Sequence, residues 1–500
     1  MTQYDFGGFD PTFFGVSLNF SNLGAARLFD RWRKTQVPLP IADLPVDDRF
    51  EALSLFSVLA HEVRHFHDAL LAPYGAMVFH RRIQMLVNLL ELSTYLFDDH
   101  LNPNVNCLPV PLERWWRLTE SQRTQWIAGL PPRADGTPWQ PMNVPLFNDR
   151  TTPLMSGPRP RTLESLDELL HAVSRARAQI SDLTFNPQTV RGTASFQPWQ
   201  VFELSGLFVQ FQELWQMYGP EEVQFFGDYI MRERTPYATA LFVAGKLCGA
   251  VGLEFNWGFL SIVAGWCLLG SYKRDGWNAC PSVRFARLTE LLAEDGVDLE
   301  QPIERLFAHW SQRLRVSTIE EAVTETRALY SRIPSQLEAK VASVKNSFVA
   351  KEYAELLIRT TADVARASAA MADAFLHAPE TYLVPYSYNR ASDQFVNPSL
   401  RFIFESLGAD MDATPEELEQ RGWIVRWALQ RDGRTVVLSY IQPLELSPLK
   451  FVAPEDAAHL SDLFGLTEFV FSELGHERSD VQRAGRVFFH EAQIEPIQVF

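Results

Sequence analysis

The sequence predicts a mainly α-helical protein, a multi-helix core with a small α+β region at its C-terminal end. Three observations lead there. Apolar residues recur at helical spacing over 50–71 and almost continuously over 163–377, interrupted by Pro, Gly and Asn. Between these tracts Pro131, Pro132, Pro138, Pro141, Pro145, Pro153, Pro158 and Pro160 crowd one stretch, where long helices cannot form. Past Pro379 the pattern changes, and 423–441 reads as a β-hairpin about an Asp432-Gly433 turn.

At 500 residues the chain exceeds the size at which a single core stops growing, so more than one domain is expected. Composition places the divisions at 1–128, 129–160, 161–385 and 386–500. A hydrophobic content of 46% with 21% charged residues belongs to a well-cored protein rather than a disordered one. The formal net charge of −16 has the same sign as nucleic acid and anionic membrane surfaces, which disfavours both as partners. Four scattered cysteines with no C-x-x-C pair, and no basic segment at the start, point to a reduced, cytoplasmic protein. The uncharged run 255–272 is the weak alternative, a span at the lower edge of membrane-crossing length. Its Gly, Ser and Asn residues favour a buried helix.

In chain order, 14–20 alternates as a short strand within an irregular N-terminal region. Asp48, with Glu51 three residues on, resembles a capping box opening the first helix. Ala72-Pro73-Tyr74-Gly75 stops that helix, and a second is expected over 76–97. The Pro-rich stretch 129–160 contains Trp139, Met142, Leu146 and Phe147, so an ordered loop wrapped over the helical core is expected rather than a free tether. Further helices are expected over 165–180, 199–217, 221–232, 237–252, 255–272, 282–292, 303–314, 318–330 and 335–375.

The first helix carries the chemistry. Its apolar run contains His61-Glu62-Val63-Arg64-His65-Phe66-His67-Asp68. Burying such groups costs several kcal/mol unless something pairs with them. A metal ion would pair with most of them. His61 and His65, four residues apart, stand about 40° apart on one helical face. Two imidazoles so placed can bind one Zn²⁺, and Glu62 beside them can deprotonate a bound water. Asp68, about 20° from the same stripe, is the candidate acceptor for the ligand nitrogen that faces away from the metal. His67 points about 240° from His61 and reads as a core histidine.

His61-Glu62-x-x-His65 resembles the signature of the zincin metallopeptidases, and with Asp68 it is similar to the neprilysin-like branch of the gluzincins. The resemblance covers eight residues. It implies a zincin-type helix in the core, His61 and His65 as zinc ligands, Glu62 as general base, and a Glu from a downstream helix as third ligand. A Gly and third His after His65 are missing, as is a clear downstream Glu-Asn-x-x-Asp.

The third ligand is therefore argued from the residues. Glu203 lies in a strongly apolar segment, shares a face with Gln210, and precedes Gly206, which would let another helix come close. A buried carboxylate there needs a cation, although a Glu near a helix start can instead be held by the helix dipole. Glu213 and Glu254 are the alternatives. Tyr74 and His80 are candidate oxyanion stabilisers, with Tyr218 and Tyr237 equally placed. His476-Glu477 and His490-Glu491 lack a second His at the right spacing.

The expected function is that of a zinc-dependent hydrolase, a metallopeptidase acting on a protein or peptide substrate. Two alternatives carry the same residues: a non-haem iron oxygenase with two His and one carboxylate, and a non-catalytic helical interaction protein with a structural metal site.

Overall fold

The structure is a computed structural model. It describes residues 6–10, 14–20, 37–96, 179–180, 182–190, 195–233, 236–341, 348–392, 395, 403–407, 424–431 and 434–442, with single positions between 25 and 35. The described residues are mainly helical. They divide between two compact units. One comprises those within 1–78, 181–330 and 363–454, and the other those within 79–180, 331–362 and 455–500.

In the first unit, α1 (Val46–Leu71) carries the His-rich stretch. Its N-cap is Pro45, and Asp47 and Asp48 fall in its first turn, where carboxylates complement the helix dipole. Asp48 is therefore not the cap that its spacing to Glu51 predicts. The helix stops because Ala72 is extended ahead of Pro73, whose ring excludes the α conformation from the preceding residue. Pro73 then opens α2 (Pro73–Leu96). The two helix ends meet closely, since a Cβ on Gly75 would lie 2.5 Å from Ala69 Cα.

The helix α3 (Pro198–Tyr218) packs along α1. Pro198 occupies its first turn, Gln197 and Gln200 form a reciprocal capping box, and Gly219 ends it at φ 91°. Around it lie α4 (Pro220–Arg232), α5 (Pro236–Ala250), α6 (Trp257–Leu268) and α8 (Pro281–Asp295), the last preceded by the short α7 (Tyr272–Asp275). This surround explains why α3 is apolar on most of its faces.

Within the uncharged run 255–272, the stretch Trp257–Leu268 forms the buried helix α6. Its N-cap Asn256 accepts from Phe259 N at 3.0 Å, and Trp266 and Val263 are fully buried. No described helix is long and apolar enough to cross a membrane.

Helices α9 (Ile303–Leu314), α10 (Ile319–Val341) and α11 (Phe348–His377) follow. Here the structure corrects a predicted boundary, because α10 runs through Pro334 instead of ending before it. A proline removes one helical hydrogen bond and bends the axis, and packing can carry the helix past it. The chain re-enters the first unit at Asp363, within α11, and short helices α12 (Pro379–Leu383) and α13 (Pro385–Ala391) follow there.

A sheet of order β1-β2-β5-β7-β6 joins both ends of the chain. β1 (Gly7–Asp10) pairs antiparallel with β2 (Gly15–Phe20), which covers the strand predicted at 14–20. β2 pairs parallel with β5 (Ile403–Leu407), with Val16 opposite Ile403. The predicted hairpin is present as β6 (Ile424–Arg431) and β7 (Arg434–Gln442), with Arg431 opposite Arg434. A separate two-stranded pair, β3 (Gln188–Thr189) and β4 (Ser195–Phe196), lies just before α3. Phe14, between β1 and β2, holds φ 53°, and its buried ring meets Phe9, Phe66 and Tyr330 edge-on. Packing on α1 and α10 thus holds a backbone conformation unusual for a bulky residue. The Pro-rich stretch 129–160, most of 165–180, and residues 443–500 lie outside the described residues, and so do His476 and His490.

Candidate metal centre

Helical spacing brings the site together from two elements. His61 and His65 present their rings from α1, and Glu203, Gly206 and Gln210 line one face of α3 opposite them. Both His Nε2 atoms approach a single carboxylate oxygen. His61 Nε2 is 3.1 Å from Glu203 Oε2, and His65 Nε2 is 3.2 Å from the same atom. Ligand atoms from these three residues all lie within 4.8 Å of one another, the one such group of three or more found among the described residues. Tetrahedral Zn²⁺ with bonds of about 2.0–2.1 Å sets neighbouring donors roughly 3.3 Å apart. The observed separations match that edge length. The Glu203 side chain is 23% exposed while both His rings are buried, so the cluster opens towards solvent on the Glu203 side.

Gly206 makes the approach possible. A Cβ there would stand 2.8 Å from His61 Nε2 and 2.9 Å from His65 Cε1, closer than real contacts allow. The two rings are nearly perpendicular, at 88° with centroids 4.5 Å apart. His65 stacks on Phe202 at 4.4 Å and 13°, and its Nδ1 has no hydrogen-bond partner among the described residues. His61 is held differently. Its Nδ1 bonds to Gln210 Oε1 at 3.1 Å, Gln210 Nε2 donates to Ser57 Oγ at 2.9 Å, and Ser57 donates to Leu53 O at 2.6 Å.

Charge follows geometry. Burial would raise the Glu203 pKa, but the two imidazoles outweigh it and hold the carboxyl well below its ordinary range. Burial lowers the His61 pKa, yet Glu203 and Glu62 together carry it above the usual histidine value. His65 moves the other way, lowered by burial first and by the neighbouring His61 charge. Glu62 is 4% exposed, and its charge acts on His61.

Several sequence-predicted residues lie elsewhere. Asp68 is not the partner of a ligand His. It accepts from Arg64 Nε at 3.2 Å and from the Tyr382 hydroxyl. Gln210 takes the role expected of it, because Asp68 lies two turns along α1 from His61 and against a different neighbour. His67 is a fully buried core histidine sharing a 2.7 Å hydrogen bond with Tyr388. Glu213 is bonded by Asn389, and Glu254 is exposed in the loop before α6, so neither joins the cluster. The Tyr74 ring is 5.9 Å from that of Phe202, one ring removed from His65. Tyr237 stands nearer, its ring centroid 6.1 Å from that of His61. His80 groups with the other unit, and burial pushes its pKa down to about 3.

Sequence reasoning missed the cage around Arg64. Arg64 is fully buried, donates to Ser205 Oγ at 2.9 Å and to the Tyr382 carbonyl, and lies 3.9 Å over the Tyr382 ring. No local pattern announces partners over 300 positions away. Phe202 was equally hidden, since an aromatic in an apolar helix reads as core. A cavity of about 1070 Å³ among α3, α4 and α5 is lined by Phe211, Trp215, Leu241, Phe242 and Phe255, and by none of the three cluster residues.

No family model, curated protein or solved structure matches the chain.

Proposed function

We propose that the chain is a zinc-dependent hydrolase of the metallopeptidase type, with His61, His65 and Glu203 as metal ligands and Glu62 as general base. One observation carries this reading: three donors of the types zinc prefers lie within 4.8 Å of one another, both imidazoles 3.1 and 3.2 Å from one carboxylate oxygen, with no fourth such donor among the described residues. A closed structural site takes four protein ligands, whereas a catalytic one keeps a position open. The candidates for closing it, His67 and Asp68, are bound to Tyr388 and to Arg64 with Tyr382. A bound Zn²⁺ would supply Lewis acidity, polarising a substrate carbonyl and lowering the pKa of water.

The chain's own residues do the rest. Glu62 takes the proton from the attacking water and delivers it to the leaving amine. Gln210 orients His61, and the Phe202 ring orients His65. Tyr237, whose ring stands beside that of His61, would donate to the oxyanion that forms on the carbonyl. Substrate would approach from the partly exposed Glu203 side.

The test begins with metal content. Purified protein should carry about one zinc per chain, and His61→Ala or Glu203→Ala should lose it. Glu62→Gln should keep the metal while cleavage of a quenched-fluorescence peptide library falls by at least about 10³-fold. Cleavage retained in Glu62→Gln would remove the base. The donor set is also that of the iron facial triad, so stoichiometric iron with little zinc would move the assignment to an oxygenase.

A further inference from the structure

The polar chain behind His61 has a logic of its own. Ser57 is fully buried, and its hydroxyl carries one hydrogen, which it gives to Leu53 O at 2.6 Å. Towards Gln210 the same oxygen can then only accept. The Gln210 group facing it at 2.9 Å must be the NH₂, which leaves the carbonyl oxygen facing His61 Nδ1 at 3.1 Å. That carbonyl requires a hydrogen on Nδ1. A neutral His61 ring that keeps Nδ1–H presents a bare Nε2 to the space beside Glu203 and His65.

We propose that Ser57, acting through Gln210, is a positioning residue that commits His61 to bind metal through Nε2. The competing arrangement is a ring with its hydrogen on Nε2, donating to Glu203, and a bare Nδ1 accepting from a turned Gln210 amide. That arrangement satisfies the metal-free site without any ion. Ser57 disfavours it, because a turned amide would set its carbonyl against the hydroxyl oxygen unless the hydroxyl gave up its 2.6 Å bond to Leu53 O. Ser57 and His61 are four residues apart on α1, so the device is one helical turn tied through α3.

The inference rests on the metal-ligand reading of His61, and the experiment separates the two. In metal-free protein labelled with ¹⁵N-histidine, at a pH above the His61 pKa where the ring is neutral, His61 should show an exchange-protected Nδ1–H and a bare Nε2, and Gln210→Leu should abolish the protection. This readout needs no metal. In chelator-competition titrations with Zn²⁺ alone, Gln210→Leu should weaken binding about 10- to 100-fold and Ser57→Ala about 10-fold, as expected for groups that orient a ligand. The double variant Ser57→Ala with Gln210→Glu should return to within about 3-fold of the parent, because a carboxylate accepts from Nδ1 however it turns.

Failure of that rescue, or unchanged zinc affinity in Ser57→Ala, would overturn the proposal. So would a His61 without the protected Nδ1–H. Should Ser57→Ala not fold, Ser57→Cys, whose thiol is a weak donor and acceptor, should weaken Zn²⁺ binding in the same direction, and an unchanged affinity there would overturn the proposal. A parent showing the protected Nδ1–H but binding no Zn²⁺ would keep the amide orientation and remove the metal reading, and with it the proposal.

Discussion

His61 is the residue on which opposing effects meet. Both of its nitrogens face acceptors, Gln210 Oε1 and Glu203 Oε2, which favours the charged ring in the metal-free site. Its pKa stands above 6.5, while that of Glu203 lies well below 4.5. A raised histidine stabilises the fold fully below its unfolded value, and loses that contribution as pH rises through the folded one. A depressed carboxyl stabilises above its unfolded value, and loses that as pH falls through the folded one. Both contributions from the metal-free pair are therefore present together between pH 4.5 and 6.5. Zinc reverses the trend, since it must displace the Nε2 hydrogen. Apparent Zn²⁺ affinity should fall about tenfold per pH unit below the His61 pKa, and calorimetric titration at several pH values reads it. A pH-independent affinity would contradict a protonated His61.

At the scale of elements, the centre is a contact between α1 and α3, and Gly206 sets its distance. Gly206→Ala places a methyl against both imidazoles. The rings or the helices must shift, which should cost about 1–3 kcal/mol in urea unfolding and weaken zinc binding together. An unchanged zinc affinity would mean that the two rings are not confined as described. Much of this contact was legible beforehand. Helical spacing put His61 and His65 on one face of α1, and the same spacing grouped Glu203, Gly206 and Gln210 on α3. The distance between the faces was not legible, because periodicity orients a side chain about its own axis and is silent about the neighbouring one. The assignment of Asp68 failed for that reason. Its angle on α1 matched, but Arg64 and Tyr382 stand where a ligand histidine was expected.

Across the whole molecule, the helix that carries His61 and His65 is anchored by residues more than 300 positions downstream. Arg64 meets Tyr382 and Tyr388 of α12 and α13, and His67 bonds to Tyr388. Arg64→Leu would leave Asp68 buried with the Tyr382 hydroxyl but no positive charge. It should destabilise by about 3–5 kcal/mol in urea unfolding. A cost under 1 kcal/mol would show that the cage is dispensable. Zinc should act in the opposite sense, since a ligand that binds only the native state adds about 2.7 kcal/mol at a hundred times its Kd. Thermal unfolding with and without Zn²⁺ reads that gain, and its absence in His65→Ala would tie it to this site.

The sequence by itself determined the helices, the interior placement of the uncharged run 255–272, the hairpin at β6 and β7, and the donor types on each helical face. Local chemistry suffices for these, because backbone hydrogen bonding and apolar periodicity act over a few residues. Of the three candidate carboxylates the sequence favoured Glu203, and the tertiary structure brought that one against His61 and His65. Glu203, Glu213 and Glu254 are chemically alike, and what separates them is a glycine gap three residues from Glu203 that admits two imidazoles. It alone also tied β2 to β5 and Arg64 to Tyr382, since such pairings depend on how distant surfaces fit and no local pattern records that.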